Sequence, residues 1–347
     1  MADVDPAPER IDRYEILGVL GQGGFGTVYR ARHVVLGTEV ALKVLATQHI
    51  SESGMVERFL REAQTAAGVG NPHIIAVSDA GVTSDGRPFL AMELLAGQDL
   101  EQRIARGGPL SVPEAIAIGL QLLEGLGAAH AARVVHRDLK PANVFLTRGP
   151  DGAPFVKILD FGISKVFDPG KVAAMTKTGA VLGTPAYMAP EQLEDSSKVD
   201  HRADLYAAGA ILFEALTGRL PYESESFSDL VERVRGRTPE RLDRYLAAAP
   251  PPLTQLIARA LERDPARRFA SAAEMRHALA GVEAVLGPTP AGFGAWPGAA
   301  GVPATGGVAS PRPATPAPTY GSAPPSYGTP PPSYGTPPPS YGTPPPS

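Results

Sequence analysis

Apolar and polar positions alternate over residues 14–20, a glycine cluster interrupts, and two runs rich in β-branched residues follow at 28–33 and 39–45. Such period-two stretches bounded by turn residues predict strands. Over 56–67 the period lengthens, and Phe59, Leu60, Ala63 and Ala67 fall on one side of a helix. Strand-like runs return at 74–81 and 88–94. From Leu100 onward the pattern is mostly helical. Pro113 opens an apolar-rich segment to Ala132, 204–217 is apolar enough for a buried helix, and 253–261 and 271–286 are amphipathic. Ser271 and Glu274 form a capping box at the start of the last helix. Strands first and helices afterwards predict an α+β fold of two segregated lobes, with the boundary near residues 93–97.

Composition changes the picture at the end of the chain. Beyond Gly287 the only charged residue is Arg312, and Tyr327, Tyr334 and Tyr341 recur seven residues apart in a Pro-Pro-Ser-Tyr-Gly-Thr-Pro repeat. Such a segment buries too little apolar surface to offset its ordering entropy, so a disordered, polyproline II-like tail is expected over 286–347. It serves either as a plain tether or as a ligand for proline-recognising modules. The rest divides into an N-terminal extension, 1–13, and a folded domain, 14–285, with lobes at 14–94 and 98–285. A net charge of −4 without a long Lys/Arg run argues against nucleic acid as a partner. The chain has no cysteine, which excludes disulfides and thiolate chemistry. Neither a signal peptide nor 18 consecutive apolar residues are seen, so a cytoplasmic chain with no membrane segment is expected.

The glycine cluster, Gly21-Gln22-Gly23-Gly24-Phe25-Gly26-Thr27-Val28, lies between two strand-like runs. Glycines let backbone amides approach phosphates, but the same pattern suits a tight hairpin with no ligand. A dinucleotide fold would need a helix directly after it, and 28–33 is β-prone instead. Lys43 stands in an apolar strand seventeen residues past Gly26. A buried ammonium needs a counter-charge, and Glu62 on the candidate helix is placed to supply it.

His136-Arg137-Asp138-Leu139-Lys140-Pro141-Ala142-Asn143 gathers a carboxylate, an ammonium and an amide in six residues. Pro141 blocks a helix and fixes the turn. Such a loop can place Asp138 beside a hydroxyl, Lys140 beside a transferring phosphoryl group and Asn143 beside a metal. The run resembles the catalytic loop of protein kinases at every motif position. Asp160-Phe161-Gly162 and Ala189-Pro190-Glu191 follow in the family's order, so the resemblance covers about residues 14–279.

The resemblance implies the bilobal protein kinase fold, with a small antiparallel sheet and one main helix preceding a larger helical lobe. It also implies roles. The glycine loop covers ATP phosphates, Lys43 holds the α- and β-phosphates, and Glu62 orients Lys43. Asp138 accepts the substrate proton, Lys140 neutralises charge, and Asn143 and Asp160 bind Mg²⁺ or Mn²⁺. Met92 limits access behind the adenine, Glu93 and Leu95 face its edge, and Leu20, Val28 and Ala41 line the surrounding pocket. Asp204 with Gly209 anchors the catalytic loop, Glu191 and Arg268 form a buried ion pair, and His136 supports the loop from the core. His130 carries no chemical role.

Lys140 two residues after Asp138, and Thr184, resemble serine/threonine rather than tyrosine kinases, and the compact Gly183 to Gln192 run resembles the bacterial, Hanks-type branch. Protein Ser/Thr hydroxyls are the implied substrates. Arg137, read as a cation lacking a partner, suggests a switch by phosphorylation of Thr176 or Thr178, in trans through a transient homodimer. Three rivals stand beside an active kinase. A pseudokinase would normally have lost Lys43, Asp138, Asn143 or Asp160. A small-molecule phosphotransferase would usually lack the Ala-Pro-Glu segment. An adaptor would act through the tail.

Overall fold

The computed structural model describes residues 9–23, 26–46, 55–149, 152–161, 185–194, 199–224 and 226–286, without the side chains of Met55, Arg58, Glu62, Ala66 and Phe227. Gly24, Phe25, Gly162, Thr176, Thr178, Thr184 and the tail beyond Leu286 therefore lie outside the described residues.

The first lobe is a six-stranded antiparallel sheet. Its strands are β1 (Arg10–Ile11), β2 (Tyr14–Gly23), β3 (Gly26–His33), β4 (Glu39–Leu45), β5 (Val77–Val82) and β6 (Pro88–Glu93), in the order β1-β2-β3-β4-β6-β5. Helix α1 (Met55–Ala67) packs on one face through Phe59 and Ala63 against Leu45 and Leu90. Ala67, placed on the same stripe from sequence, is exposed at the helix C-terminus. The opposite face buries Tyr14, Tyr29, Leu42, Val44 and Phe89, the alternation that period two demands. Ile11, from the stretch assigned to an N-terminal extension, is buried in this same cluster.

Ile74 and Ile75 depart from the strand expected there. Ile74 instead bridges to Ile158, and Ile75 N donates to Ile158 O at 3.0 Å. This short pairing stitches the first lobe to the second. Its partner belongs to a small sheet, β7 (Gln98–Asp99), β8 (Val144–Arg148) and β9 (Pro154–Ile158), which floors the interlobe cleft.

The second lobe is otherwise helical: α2 (Leu100–Gly107), α3 (Val112–Ala131), α4 (Pro190–Glu194), α5 (Arg202–Thr217), α6 (Phe227–Gly236), α7 (Leu242–Tyr245), α8 (Pro251–Ala260) and α9 (Ala272–Leu286). Asp99 and Ser111 cap α2 and α3, accepting from the backbone N–H groups of Gln102 and Glu114. Among the described residues α3 alone is long and apolar enough to cross a bilayer, but half of its apolar window is buried in the protein core, where it packs on α5 and α9. Helix α5 is the centre of that core. Leu205, Tyr206, Ile211, Leu212 and Phe213 are all essentially inaccessible, each stabilising the fold by about 1.5–3 kcal/mol. At α9, Ser271 Oγ accepts from Glu274 N at 3.1 Å, while the Glu274 carboxylate accepts from Ala270 N rather than from Ser271 N. The capping box thus closes one residue earlier than its usual form.

Candidate active site

A cleft of about 640 Å³ opens between the two lobes, within the range that holds a small ligand such as a nucleotide. Leu20, Gly21, Gln22, Gly23, Gly26 and Val28 form its roof, and Ala41 and Lys43 of β4 its upper wall. Met92, Glu93 and Leu95 border it at the interlobe connection, and Asp160 closes its inner end. These were all anticipated from sequence. Thr27 was too, but it lines a separate depression with Tyr29 and Val44. Adjacent strand residues face opposite sides, so Val28 in the cleft directs Thr27 away from it. Ile75, Leu94, Gly97, Gln98, Asp99, Gln102, Ala142, Phe145 and Leu159 complete the lining, and sequence reasoning missed them. Gly26 needs its missing side chain. It has φ +150°, and a Cβ there would meet the Val44 carbonyl oxygen at 2.0 Å.

Lys43 is the buried cation expected in β4, 9 % exposed, and its Nζ lies 2.7 Å from Asp160 Oδ1. Burial alone would push the Asp160 carboxyl up, but the charge and hydrogen bond of Lys43 outweigh it and hold the group below its usual range. The expected counter-charge was Glu62, whose side chain is outside the described residues. Asp160 itself has φ 56°, an uncommon conformation for a residue with a side chain, of the kind that clusters at functional sites.

The catalytic loop is held from three directions. Lys140 Nζ lies 3.1 Å from Asp138 Oδ2, and Asn143 Nδ2 donates to the Asp138 carbonyl at 2.8 Å. Beneath them, His136 is fully buried. Its Nε2 lies 2.8 Å from the Leu159 carbonyl, which can only accept, while Nδ1 faces the Asp138 N–H at 3.3 Å. Those partners fix one neutral tautomer, with the proton on Nε2. His136 therefore ties Asp138 to the strand that leads into Asp160, a supporting role as expected.

Asp204 on α5 anchors the same loop: Oδ2 accepts from His136 N and Oδ1 from Arg137 N, both at 2.8 Å. His130, given no chemical role from sequence, supports this anchor: its Nε2 lies 2.8 Å from Asp204 Oδ2 and orients that carboxylate. Gly209 lets α5 approach α8, since a Cβ there would meet the Ala260 Cβ at 2.6 Å. One expectation is corrected: the Arg137 guanidinium already donates to the Val199 carbonyl at 3.2 Å. Glu191 and Arg268 form the expected pair, bidentate at 2.7 Å for both bonds, with the Arg268 side chain wholly inaccessible.

The residues fit a nucleotide with a divalent cation. Val28, Ala41, Ile75, Met92 and Leu159 make an apolar slot for a flat ring, and Lys43 stands beside Asp160 where phosphates need a cation. With Nδ2 engaged by the Asp138 carbonyl, Asn143 presents Oδ1 as an acceptor. That oxygen and the Asp160 carboxylate are hard donors of the kind Mg²⁺ takes. Among the described residues no group of three or more His, Asp or Glu could hold a metal unaided. A cation here would draw its remaining ligands from phosphates and water, as Mg²⁺ commonly does.

Residues 14–280 match the protein kinase domain family. Serine/threonine-protein kinase pkn3 of Myxococcus xanthus is 42% identical over 277 residues, covering 78% of this chain and 50% of the relative. Serine/threonine-protein kinase PknH of Mycobacterium tuberculosis H37Rv is 37% identical over 276 residues, covering 79% of this chain and 42% of the relative. The chain thus spans half the length or less of these curated relatives. The crystal structure of the M. tuberculosis PknI kinase domain superposes with a TM-score of 0.62 at 30% identity, covering 78% of this chain and 97% of that one. The motifs, the bilobal fold and these relatives agree, and the chain belongs to the protein kinase family, in its bacterial Hanks-type serine/threonine branch.

Proposed function

We propose that the cleft transfers the γ-phosphoryl group of ATP to Ser or Thr hydroxyls of protein substrates. The observation that carries this reading is the Lys43–Asp160 pair, 2.7 Å apart at the inner end of an apolar slot lined also by Ala142 of the catalytic loop. Bound Mg–ATP supplies the phosphoryl group and metal charge that neutralises it. Lys43 holds the α- and β-phosphates, Glu62 orients Lys43, and Asp160 and Asn143 hold the cation. Glu93 and Leu95 face the adenine edge. Asp138 accepts a hydrogen bond from the substrate hydroxyl and takes its proton as the oxygen attacks. Lys140 is within 3.1 Å of Asp138, where its charge offsets charge on the transferring group.

Phosphorylation of Thr176 or Thr178, in trans between two copies, raises activity in this reading. Support comes from their position between Asp160 and Glu191. The proline-rich tail tethers the domain or binds a proline-recognising module.

Incubation of the purified chain with γ-labelled ATP, Mg²⁺ and a generic basic protein tests the proposal, beside Lys43→Met and Asp138→Asn controls. Label on Ser or Thr with wild type, and none above background with the controls, is expected. Wild type no more active than Asp138→Asn would overturn it.

A further inference from the structure

Gln192, in α4 one residue past Glu191, takes no part in the chemistry above, yet both ends of its carboxamide are held. Nε2 donates to the Arg137 carbonyl at 2.8 Å, and Oε1 accepts from Ala189 N at 3.0 Å. A carbonyl can only accept and a backbone N–H can only donate, so these partners permit one orientation of the amide.

What Gln192 grips is the peptide group that carries the nitrogen of Asp138. The preceding residue, Arg137, has φ 65°, in the left-handed region that a long side chain rarely adopts. Two peptide planes flank that strained centre. Asp204 Oδ1 holds the first, through Arg137 N at 2.8 Å, and Gln192 holds the second, through the Arg137 carbonyl. The N–H of the second plane is the one that faces His136 Nδ1. Strained conformations persist where their surroundings over-determine them, and here side chains from two separate helices do so.

We propose that Gln192 is a positioning residue: it locks the peptide group bearing Asp138 to the backbone of the Ala189-Pro190-Glu191 segment, so the aim of Asp138 follows the placement of that segment. This rests on the kinase reading above. Asp204 holds the catalytic loop to the core helix, whereas Gln192 holds it to the segment that closes the activation region. A misplacement of 1 Å costs up to about 10²-fold in rate, and loss of one of the two restraints should cost on the order of 10-fold in kcat. The KM for ATP should stay within about twofold, because Gln192 does not line the nucleotide cleft.

Gln192→Glu and Gln192→Met in the full chain separate positioning from bulk stability. Glutamate keeps an acceptor for Ala189 N, but as a carboxylate, its ordinary form at pH 7, it offers the Arg137 carbonyl no proton. Normalised to folded protein, kcat of both variants at pH 7 should therefore fall on the order of 10-fold while the KM for ATP stays within about twofold of wild type. Hydrogen exchange over residues 136–140 should speed up in Gln192→Met whatever the activity. Both variants within twofold of wild-type kcat, or unchanged exchange in that segment, would overturn the inference. An inactive wild type would instead strike at the kinase reading, and the exchange measurement would still decide the role of Gln192.

Discussion

Replacing Asp204 with asparagine keeps its size and removes its charge, and the structure sets the size of the effect. Three donors converge on its two oxygens, His136 N and His130 Nε2 on Oδ2 and Arg137 N on Oδ1, each at 2.8 Å, and the side chain is 1% exposed. An amide oxygen can keep two of the three. Its NH₂ must then face a backbone N–H, orphaning a buried donor at about 1–3 kcal/mol. The two surviving bonds lose their charge assistance, roughly another 1 kcal/mol each. The total is about 4 kcal/mol, or a fall in Tm on the order of 10 °C for a domain of this size. Burial alone would raise the Asp204 carboxyl, yet the hydrogen bond and charge of His130, then the Arg137 N–H, hold it below its usual range. A depressed native pKa gives stability that is present above the unfolded carboxylate value and lost as pH falls through the native one. The gap in Tm between wild type and Asp204→Asn should therefore persist down to about pH 4 and close below it. Scanning calorimetry across pH measures this directly. A drop under 2 °C at pH 7, or a gap that widens on acidification, would refute the assignment of Asp204 as the loop's charged anchor.

Three further outcomes follow from the same geometry. Glu191→Gln leaves the inaccessible Arg268 guanidinium without its counter-charge, and urea unfolding should show a loss of about 3–5 kcal/mol. Gly26→Ala puts a Cβ against the Val44 carbonyl and should raise the KM for ATP on the order of tenfold, about 1.4 kcal/mol, with kcat changed less. In Lys43→Met, Asp160 loses the cation that lowers its pKa, so the stability that wild type keeps until pH falls through that lowered value should be lost at higher pH. Acid titrations followed by circular dichroism should place the midpoint of the variant above that of wild type.

Much of this site could be read along the chain because its parts are local runs. The glycine strand, the 136–143 loop and the apolar strand around Lys43 each announce themselves within ten residues. What escaped depends on contacts between distant segments. Asp160 meets Lys43 across 117 residues, and His130 meets Asp204 across 74, so no spacing rule brings either pair together. Gln98, Gln102 and Phe145 line the cleft only because β7, α2 and β8 fold beneath it. Ile74 and Ile75 look like a strand by composition and do make strand-like bonds, but with β9 of the other lobe, while Ala76 O already accepts from Glu93 N of β6. Thr27 was within reach of sequence reasoning, since strict alternation with Val28 already places it on the other face.

Nucleotide binding tests the central claim most directly, because it requires neither the right substrate nor an activated enzyme. Calorimetric titration of a non-hydrolysable ATP analogue at millimolar Mg²⁺ should give one site per chain. Filling the slot with Ala41→Phe should abolish it, and Asp160→Asn should remove its dependence on the metal. Absence of binding to the folded wild type, or binding indifferent to Ala41→Phe, would contradict the placement of ATP in this cleft.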